Sequence, residues 1–446
     1  MQGLDDVIEV QRRSLSVLRF RRARLEPVGS PAPPVGRSGT DAGPVPDRFR
    51  AAPRSVAEWT ILPSVSGEQA GRSAQEEVPI RVLWLVKGLG AGGAERLLVL
   101  SARHRGPGVA PVAAYLLLAK NALRGPLEAA GVPAECLGVR SALDLRWVLR
   151  LRRLLRHGDF AVVHVHSPIA AVGARLVRAT LPRSRRPALI TTEHNVWGSH
   201  ARITRLLDGL TARGCETHLA VSDAVRESLP RRLRAGTEVV RYGIEVAATV
   251  ARRSERAAAR SGFGAGPDDL VVGTVANLRA TKGYPDLLEA ARVVTERVPG
   301  SRFVAVGQGP LAEDLTTLRD ALGLGDRFSF LGYREDAPAV MAGFDVFCLA
   351  SHHEGLPVAL MEALALGLPV VATTAGGVAE LVSDGTDAVL VPPGRPAALA
   401  EAISGLLADP DRRAALGRAA GAHAADLDVT RGVARVEAVY AEAARR

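Results

Sequence analysis

Cysteine is scarce in this chain of 446 residues, and its three cysteines lie far apart. Cys136, Cys215 and Cys348 form no CxxC pair. A disulfide framework or a zinc cluster needs paired or closely spaced cysteines, so neither is predicted. The pattern is typical of a protein that works in a reducing cytoplasm.

Long apolar runs are also absent. No stretch reaches the roughly 18 consecutive apolar residues of a membrane span, and the nearest approach, Val109–Ala119, is interrupted by Pro111. The start, Met1–Phe20, is charged and lacks the apolar segment of a secretory signal. We therefore expect no membrane span and no export, and we place the protein in the cytoplasm.

Positive charge is in excess, but only in one part of the chain. The formal net charge is +10. Residues 80–245 hold 26 Lys and Arg against 12 Asp and Glu, whereas residues 246–446 hold 20 against 25. No nucleic-acid motif accompanies the arginines, so no nucleic-acid partner is expected. The division favours one basic domain facing an anionic partner, and surface solubility is the alternative.

Residues 1–78 contain eight prolines and seven glycines among mixed charges and show no sustained periodicity. This composition predicts a mostly disordered extension. Within it, the segment Val10–Leu25 has apolar residues between arginines. A transient amphipathic helix and a non-native extension are both open interpretations of that segment.

From residue 79 onward, continuous apolar runs of strand length alternate with amphipathic helical patterns. The predicted strands of the first half are Ile80–Val86, Val112–Leu118, Ala161–His166, Ala188–Thr192, His218–Val221 and Glu238–Val240. Those of the second half are Leu270–Val275, Arg302–Val306, Phe328–Leu331, Val346–Leu349, Pro369–Thr373 and Ala388–Val391. Such runs indicate parallel sheets that are covered by helices on both faces.

The sequence thus predicts an α/β protein with two doubly wound, Rossmann-like domains facing across a cleft. We place the first domain at residues 79–245 and the second at 246–425. A C-terminal helix at 426–446 is expected to pack back toward the first domain. Ligands of such sheets bind beyond the carboxyl ends of the strands, so the cleft is the expected site.

A glycine-rich loop follows the first predicted strand. Gly88, Gly90 and Gly93 satisfy the pattern G-x-G-x-x-G of dinucleotide-binding proteins. An NAD oxidoreductase also needs an acidic residue about 20 residues later, but the second strand ends in Leu118–Asn121, which contains no acid. We interpret the loop as flexible backbone with free N–H groups at a helix start, suited to an anion or a sugar.

The segment Ser351–Ala363 carries the strongest local signal. It follows an apolar strand, and Pro357 is well placed as the first residue of a helix. Glu354 then lies in the loop at the end of the strand, and Glu362 lies more than a turn into the helix. Two carboxylates alone are weak evidence, since a solvated helix face also explains Glu362.

Cations and glycines occupy other loops at the same edge of the second sheet. Arg279 and Lys282 precede the predicted helix Pro285–Val294, where they can neutralise a diphosphate. Further glycine-rich or polar loops are Val306–Pro310, Leu331–Arg334 and Gly376–Glu380. This layout predicts a nucleotide site. A glycoside hydrolase is a poorer interpretation of the two carboxylates, because it needs no diphosphate-binding cations.

His164 and His166 alternate on a predicted strand, which is one pattern of a metal pair. No third ligand is near them in the sequence, so we interpret them as core or cleft histidines. No metal ion and no cofactor is expected.

A series of segments along the chain, taken in the order in which they occur, resembles the retaining glycosyltransferase family 4, of GT-B fold. The resemblance covers roughly residues 80–446. In the second half the matching segments are Asn277–Gly283, Gly307–Pro310, Leu331–Arg334, the Glu-x7-Glu pair Glu354 and Glu362, and Gly376–Val382. In the first half they are Gly92–Glu95, Val163–Ser167, Thr192–Asn195 and Val221 with Ser222. The resemblance implies an enzyme that transfers a sugar from a nucleotide diphosphate to an acceptor hydroxyl.

The resemblance also implies roles for individual residues. Glu354 and His194 would lie beside the transferred sugar as the catalytic pair, Lys282 and an arginine would hold the diphosphate, and Glu362 would accept hydrogen bonds from the ribose. The residues expected to contact the donor are Gly92, Gly93, Asn277, Arg279, Lys282, Gly307, Arg334, Gly355, Leu356, Val358 and Glu362. No metal would be required, since the fold resembled uses cationic side chains and helix ends.

Two positions depart from the family pattern. Many members carry arginine where this chain has Asn277, so Arg279 either supplies the missing charge or points to solvent. Many also have Asn-Gly-Ile/Val-Asp where this chain reads Tyr242–Glu245. A non-catalytic nucleotide-sugar-binding subunit and a sugar-nucleotide epimerase of the same fold therefore stay open as alternatives.

The sequence does not identify the sugar, the base or the acceptor, which could be a glycan, a lipid-linked or a small molecule. The pattern of Leu143–His157 puts Trp147 and three leucines on one face and four arginines largely on another. An ordinary sheet-covering helix explains this pattern. Docking on the inner face of an anionic membrane is the alternative. The oligomeric state is not predicted.

Overall fold

The computed structural model describes residues 78–142 and 144–445 of the chain. The predictions made for the segment before residue 78, including the helix at Val10–Leu25, lie outside the described residues. Within them, the structure contains two parallel β-sheets with helices packed against them, which confirms the predicted fold class.

The first sheet is built from the first half of the chain. Its strands are β1 (Ile80–Val86), β2 (Val109–Leu117), β3 (Ala134–Val139), β4 (Val162–Val165), β5 (Ala188–Glu193), β6 (Thr217–Ala220) and β7 (Thr237–Val239). They are ordered β3-β2-β1-β4-β5-β6-β7, and all neighbouring pairs are parallel. The order reverses beside β1, which places a ligand crevice at its carboxyl end.

The second sheet repeats this plan. Its strands are β8 (Leu270–Val275), β9 (Ser301–Val306), β10 (Phe328–Phe330), β11 (Val346–Leu349), β12 (Val370–Thr373) and β13 (Ala388–Val391). They are ordered β10-β9-β8-β11-β12-β13 and are parallel throughout. The corresponding crevice lies between the ends of β8 and β11.

Helices and short 3₁₀ turns connect the strands. The helices are α1 (Gly93–His104), α2 (Arg124–Ala129), α3 (Arg146–His157), α4 (Pro168–Ala179), α5 (Arg202–Thr211), α6 (Asp223–Ser228), α7 (Arg231–Arg234), α8 (Val246–Ala251), α9 (Arg256–Gly262), α10 (Tyr284–Arg297), α11 (Ala312–Ala321), α12 (Ala337–Met341), α13 (Val358–Ala365), α14 (Pro396–Ala408), α15 (Pro410–His423) and α16 (Val429–Ala444).

The bounds of four strands agree with the prediction, because each is a largely apolar run. They are the central strands β1, β8 and β11 and the edge strand β13. The prediction missed β3, an edge strand that is only half buried and contains Glu135 and Gly138. A polar residue and a glycine interrupt the apolar run that identifies a central strand.

One helix boundary was wrong by one residue. Pro357 was predicted as the first residue of a helix, but α13 begins at Val358 and Pro357 is its N-cap. The φ of Pro357 is −78°, which suits a helix, whereas its ψ of 99° is extended.

The C-terminal helix α16 crosses back and packs against β1, β4 and α1. Nε1 of Trp84 on β1 donates a hydrogen bond to Oη of Tyr440 on α16 at 3.0 Å. Where the chain crosses, a Cβ at Gly243 would lie 2.3 Å from the carbonyl oxygen of Leu427. The glycine of the unusual Tyr242–Glu245 segment is therefore required for this crossing.

No helix of the described residues combines the length and the apolar character that crossing a membrane requires.

Candidate functional site

Glu354 lies in the loop after β11 and is only 6% exposed. Both of its carboxylate oxygens accept hydrogen bonds from Nζ of Lys282 at 2.7 Å. Oγ of Ser351 donates to Oε1 of Glu354 at 2.6 Å, and the carbonyl oxygen of Ser351 accepts a hydrogen bond from Thr373. A buried carboxylate is costly unless it is paired, so these partners fix both its charge and its orientation.

Lys282 reaches Glu354 because the loop after β8 folds against the loop after β11. Lys282 ends a 3₁₀ turn, Ala280–Lys282, and Gly283 follows it with a φ of 61°. A Cβ at Gly283 would lie 1.9 Å from the carbonyl oxygen of Ala350. Glycine is required there for both its backbone conformation and its size.

Glu362, the second carboxylate of the pair, is 3% exposed on α13. Its Oε1 lies 3.0 Å from Nη2 of Arg96 on α1, in the first half of the chain. Burial raises the pKa of Glu362, and the guanidinium of Arg96 opposes that rise. Glu362 is therefore not on a solvated helix face, and its ion pair bridges the two halves.

Glycines allow close contact between the two halves around this centre. A Cβ at Gly355 would lie 1.9 Å from the carbonyl oxygen of His194. A Cβ at Gly377 would lie 3.1 Å from Oγ of Ser222, and one at Gly93 would lie 3.6 Å from Cγ2 of Val358. The loops predicted to meet a donor from opposite sides are thus in contact with one another.

His194 is part of a cluster of three histidines on adjacent strand ends. Its Nε2 lies 3.0 Å from Nδ1 of His166, and the rings of His166 and His164 are 4.1 Å apart. Burial lowers the pKa of His194 to about 4 and that of His166 well below its ordinary value. His194 is therefore a neutral hydrogen-bonding group at pH 7 and carries no charge to a bound sugar.

His164 is a core residue, as predicted. Trp84 can only donate to Oη of Tyr440, which is then free to donate its own hydrogen to Nδ1 of His164 at 2.6 Å. This arrangement places the proton of His164 on Nε2, which donates to Oγ1 of Thr192 at 2.7 Å. Both ring nitrogens have partners. Over residues 78–142 and 144–445, no group of three or more His, Cys, Asp or Glu side chains could hold a metal ion.

A second contact between the halves involves Glu380, in the 3₁₀ turn Gly376–Glu380. Its carboxylate accepts hydrogen bonds from the backbone N–H groups of Asp223 and Ala224, at 2.8 and 2.6 Å. Nη2 of Arg241 lies 2.9 Å from the same carboxylate. These bonds hold the turn after β12 against the beginning of α6.

The other predicted donor residues differ in how near they come to this centre. Gly307 has a φ of 151°, and a Cβ there would lie 2.0 Å from the carbonyl oxygen of Ala276, which adjoins Asn277. The loops after β8 and β9 therefore touch. Arg334 is not brought to the centre in this way, since it is bound to Asp336 at 2.9 and 3.0 Å.

Two helix starts also face this region. Gly92 is the N-cap of α1, and a Cβ there would lie 2.2 Å from the Glu95 carboxylate. Leu356 and Val358 stand at the beginning of α13. The first N–H groups of a helix have no acceptor within the helix, so those of α13 can receive an anion. At the start of α1 the carboxylate of Glu95 already lies beside these groups.

The sequence patterns assigned no ligand-binding role to Arg96, Lys87 or Lys120. Lys87 directly follows β1 and Lys120 follows β2, so both lie at the predicted ligand edge of the first sheet. A compositional signal was available, because Lys87, Lys120 and Lys282 are the only lysines in the sequence. Arg96 could have been found from its place one residue after the matching segment Gly92–Glu95.

Two doubly wound halves that meet near the carboxyl ends of their strands define the GT-B class of proteins. Matches to the sequence models of two protein families agree with this class. The model of "Glycosyl transferases group 1" matches residues 255–423, and that of "Glycosyltransferase Family 4" matches residues 91–248.

Curated relatives extend over both halves. Alpha-D-kanosaminyltransferase of Streptomyces kanamyceticus is 30% identical over 283 residues, which cover 59% of this chain and 72% of that protein. The Escherichia coli UDP-Gal:alpha-D-GlcNAc-diphosphoundecaprenol alpha-1,3-galactosyltransferase is 26% identical over 58% of this chain and 70% of its own length. This chain belongs to the family 4 glycosyltransferases.

Solved structures show the same fold. HepE of Anabaena, crystallised with UDP and glucose, superimposes with a TM-score of 0.72 at 23% identity. The match covers 81% of this chain and 100% of the HepE chain.

Proposed function

We propose that this protein is a retaining glycosyltransferase that moves a sugar from a nucleotide diphosphate to a hydroxyl group of an acceptor. The observation that carries the proposal is the buried Glu354, held by Lys282 in the crevice of the second sheet, with Glu362 on the helix that follows. This set combines one cation for a diphosphate with two carboxylates for sugar and ribose hydroxyls. HepE, which shares the fold, was crystallised with UDP-glucose, and this supports a nucleotide-sugar donor.

The family resemblance implies a front-face reaction. The bond between the sugar C1 and the β-phosphate oxygen breaks while the acceptor oxygen attacks C1 from the same face, and the leaving phosphate takes the acceptor proton. Lys282, Arg279 and loop amides stabilise the charge that develops on the diphosphate. Glu354 and the neutral His194 position the sugar. A diphosphate that binds Lys282 has to compete with Glu354, because the two residues are bound to each other.

The first experiment is a thermal-shift panel of UDP, GDP and ADP, their sugars and the free nucleosides. A ligand present at 100 times its dissociation constant adds about 2.7 kcal/mol to the free energy of unfolding, so the correct base gives the largest shift. Turnover with that donor and an acceptor mixture should yield a product with the donor's anomeric configuration by NMR. Inversion of configuration would contradict the retaining mechanism.

The same assay separates the alternatives. An epimerase would interconvert the sugar nucleotide when no acceptor is added, and a binding subunit would show the thermal shift without any turnover. We propose that no metal ion or cofactor is required. Activity should therefore be unchanged by EDTA, and a loss that Mg²⁺ or Mn²⁺ restores would contradict this.

We also propose that the first half docks on the inner face of an anionic membrane, where a lipid-linked acceptor would be found. The name of the E. coli relative specifies such an acceptor for that protein, and this supports the proposal. On α3, Trp147, Leu151 and Leu155 are buried, as in a sheet-covering helix. Leu145 and Leu149 are nevertheless 71% and 70% exposed.

Neighbouring helices extend this apolar surface, since α3 packs on α4 and α4 packs on α5. These helices, with the residue before α3, carry seven of the ten large apolar side chains that are exposed among the described residues. We call this surface the α3–α5 face. Its members are Leu145, Leu149, Leu176, Ile203, Leu206, Leu207 and Leu210.

The charge around the α3–α5 face suits an anionic bilayer. Arg153, Arg156 and Arg202 are exposed beside it. The single acid of α5, Asp208, is buried against Arg175 at 2.5 Å. A second copy on the same face would bring arginines against arginines, whereas each arginine near an anionic bilayer contributes about 1 kcal/mol to binding.

Co-sedimentation with anionic and neutral vesicles across a salt series tests this proposal. We expect binding to anionic vesicles that weakens with salt, because the Debye length falls from about 10 Å at 0.1 M to about 3 Å at 1 M. Leu206→Ser with Leu210→Ser should remove it, while Leu118→Ser, a change at an exposed leucine outside the face, should not. Absence of binding at low salt, or dimerisation lost with the same serine pair, would overturn the proposal.

A further inference from the structure

Lysine is almost absent from this protein, and each of its lysines follows a strand at the carboxyl edge of a sheet. Lys87, Lys120 and Lys282 are the only lysines among 57 Lys and Arg residues. Lys282 is bound to Glu354 in the second half. Lys87 and Lys120 lie at the carboxyl ends of β1 and β2, where a doubly wound sheet binds its ligands.

These two lysines are joined through the backbone. The N–H of Leu117 donates to the carbonyl oxygen of Lys87 at 3.1 Å, and the N–H of Leu89 donates to the carbonyl oxygen of Lys120 at 2.7 Å. Because β1 and β2 are adjacent and parallel, the two side chains start from neighbouring points of one edge.

The glycine-rich loop provides the space for Lys120. A Cβ at Gly88 would lie 2.7 Å from Cβ of Lys120, and one at Gly90 would lie 3.9 Å from its Cδ. Any side chain at position 88 would displace the lysine. The G-x-G pattern therefore accommodates a lysine side chain over the loop, which accounts for these glycines without a dinucleotide.

The loop that Lys87 begins faces the second half of the molecule, since Gly93 of this loop lies against Val358 there. Both lysines are exposed, and within the described part of the chain neither forms a salt bridge. Partial desolvation of the ammonium group lowers the pKa of Lys87, and the charges of Lys120 and, from the second half, Arg279 lower it further. Lys87 thus lies close enough to both cations to be repelled by them, while the buried carboxylate of Glu95 attracts Lys120 and Arg279.

We propose that Lys87 and Lys120 form a second phosphate-binding pair, which engages a substrate phosphate from the first half. The proposal rests on the proposed transferase function. A phosphate group would replace the mutual repulsion of these cations with charge-assisted hydrogen bonds. Its chemistry, a phosphate oxyanion, could come from the donor's diphosphate or from a phosphate carried by the acceptor.

The test variant is the double substitution Lys87→Gln with Lys120→Gln. Its matched control is Arg183→Gln with Arg185→Gln, which removes two exposed charges from the same half. The probes are the nucleoside diphosphate that gives the largest thermal shift, its nucleoside, and inorganic phosphate and pyrophosphate added after that nucleoside diphosphate is saturating.

If the phosphate belongs to the donor, the lysine variant should bind the nucleoside diphosphate at least about 10-fold more weakly and the nucleoside normally, since only the diphosphate forms charge-assisted hydrogen bonds with the lysines. If it belongs to the acceptor, nucleoside diphosphate affinity should be unchanged, and the extra stabilisation by phosphate or pyrophosphate should disappear. The control should match the wild type in both arms. A lysine variant that matches the wild type with every probe would overturn the proposal. A wild type that binds no nucleoside diphosphate would instead refute the proposed function.

Discussion

Glu354 and Lys282 satisfy each other's charge and hydrogen-bonding groups. Glu354 is buried, and the ammonium group of Lys282 lies 2.7 Å from both of its oxygens. We expect the donor diphosphate to take over Lys282 and the sugar hydroxyls to take over Glu354. This exchange keeps the buried carboxylate hydrogen-bonded, and each residue can be tested through both stability and turnover.

Glu354→Gln should lower the transfer rate about 100-fold or more, the scale of losing one preorganised electrostatic group. The fold should be kept, because glutamine can still accept the hydrogen bond from Ser351. Steady-state turnover with the identified donor measures the effect, and Glu401→Gln on the outer helix α14 serves as the control. Near-normal turnover would remove Glu354 from the catalytic assignment.

Lys282→Ala should weaken binding of the nucleoside diphosphate far more than binding of the nucleoside, since only the former presents phosphate charge. It should also cost about 1–3 kcal/mol of unfolding free energy, because Glu354 loses its partner. Adding Glu354→Gln should restore the stability but not the diphosphate affinity. Calorimetry and urea denaturation report the two quantities. Equal losses of affinity for both ligands would mean that Lys282 acts only on structure.

At the scale of elements, the two halves are tied by helix α1 and helix α13 through Arg96 and Glu362. The acid stands where the family resemblance puts the ribose, and its partner comes from the opposite half. We expect nucleotide binding to rearrange this ion pair, which would link a ribose site at Glu362 to the contact between the halves. The sequence indicated Glu362 but not its partner, since Arg96 is 266 positions away in the chain.

Arg96→Ala should lower the free energy of unfolding by about 1–3 kcal/mol at pH 8, because a buried carboxylate is left unpaired. Arg96 keeps the pKa of Glu362 from rising further, so its contribution is present above that pKa and is lost as the pH falls through it. The difference between wild type and variant in urea denaturation should therefore shrink toward acidic pH. Arg297→Ala, which affects only the exposed pair with Glu401, is the control.

A loss that does not depend on pH, or one no larger than that of Arg297→Ala, would contradict this role of the ion pair. Glu362→Gln in the Arg96→Ala background should recover most of the stability, since no charge is then left buried without a partner.

At the scale of the whole molecule, α16 connects the end of the chain to the core of the first half. Tyr440 of α16 binds both Trp84 and His164, and the ring of His164 lies 4.1 Å from that of His166, which lies 5.3 Å from the ring of His194. The last helix is thus part of the support of a predicted catalytic residue. Because these buried histidines are uncharged in the fold, the free energy of unfolding should fall at acidic pH.

The pKa of His164 is lowered by burial to about 3 and that of His194 to about 4. An unfolded histidine takes up its proton near pH 6.5, so stability is complete above that pH and falls as the pH drops toward 4. Each such histidine should cost up to about 1.4 kcal/mol per pH unit in that window. Urea denaturation from pH 8 to pH 4.5 measures the slope.

His194→Gln should make that slope shallower, whereas His157→Gln, at an exposed position on α3, should leave it unchanged. Stability that stays constant between pH 6.5 and 4.5 would show that the histidines are not buried in neutral form.

The two sheets could be predicted from the sequence alone. Continuous apolar runs of strand length, such as β1 and β8, are stable only when they are buried in the interior of a parallel sheet. The sequence also determined the loops that carry Glu354 and Lys282, since parallel strands bring their carboxyl ends to one edge. Local pattern carries this information, and no long-range contact is needed to interpret it.

The contacts between distant side chains are seen only in the folded structure. Three of these contacts join residues more than 150 positions apart in the sequence. They are the ion pair of Arg96 with Glu362, the hydrogen bonds of Glu380 to the start of α6, and the hydrogen bond between Tyr440 and His164. The exposed leucines of α5 also belong to this class, because a helix pattern shows an apolar face but not whether a neighbour covers it. Such contacts depend on how the two halves and the last helix pack, and packing is a property of the whole chain.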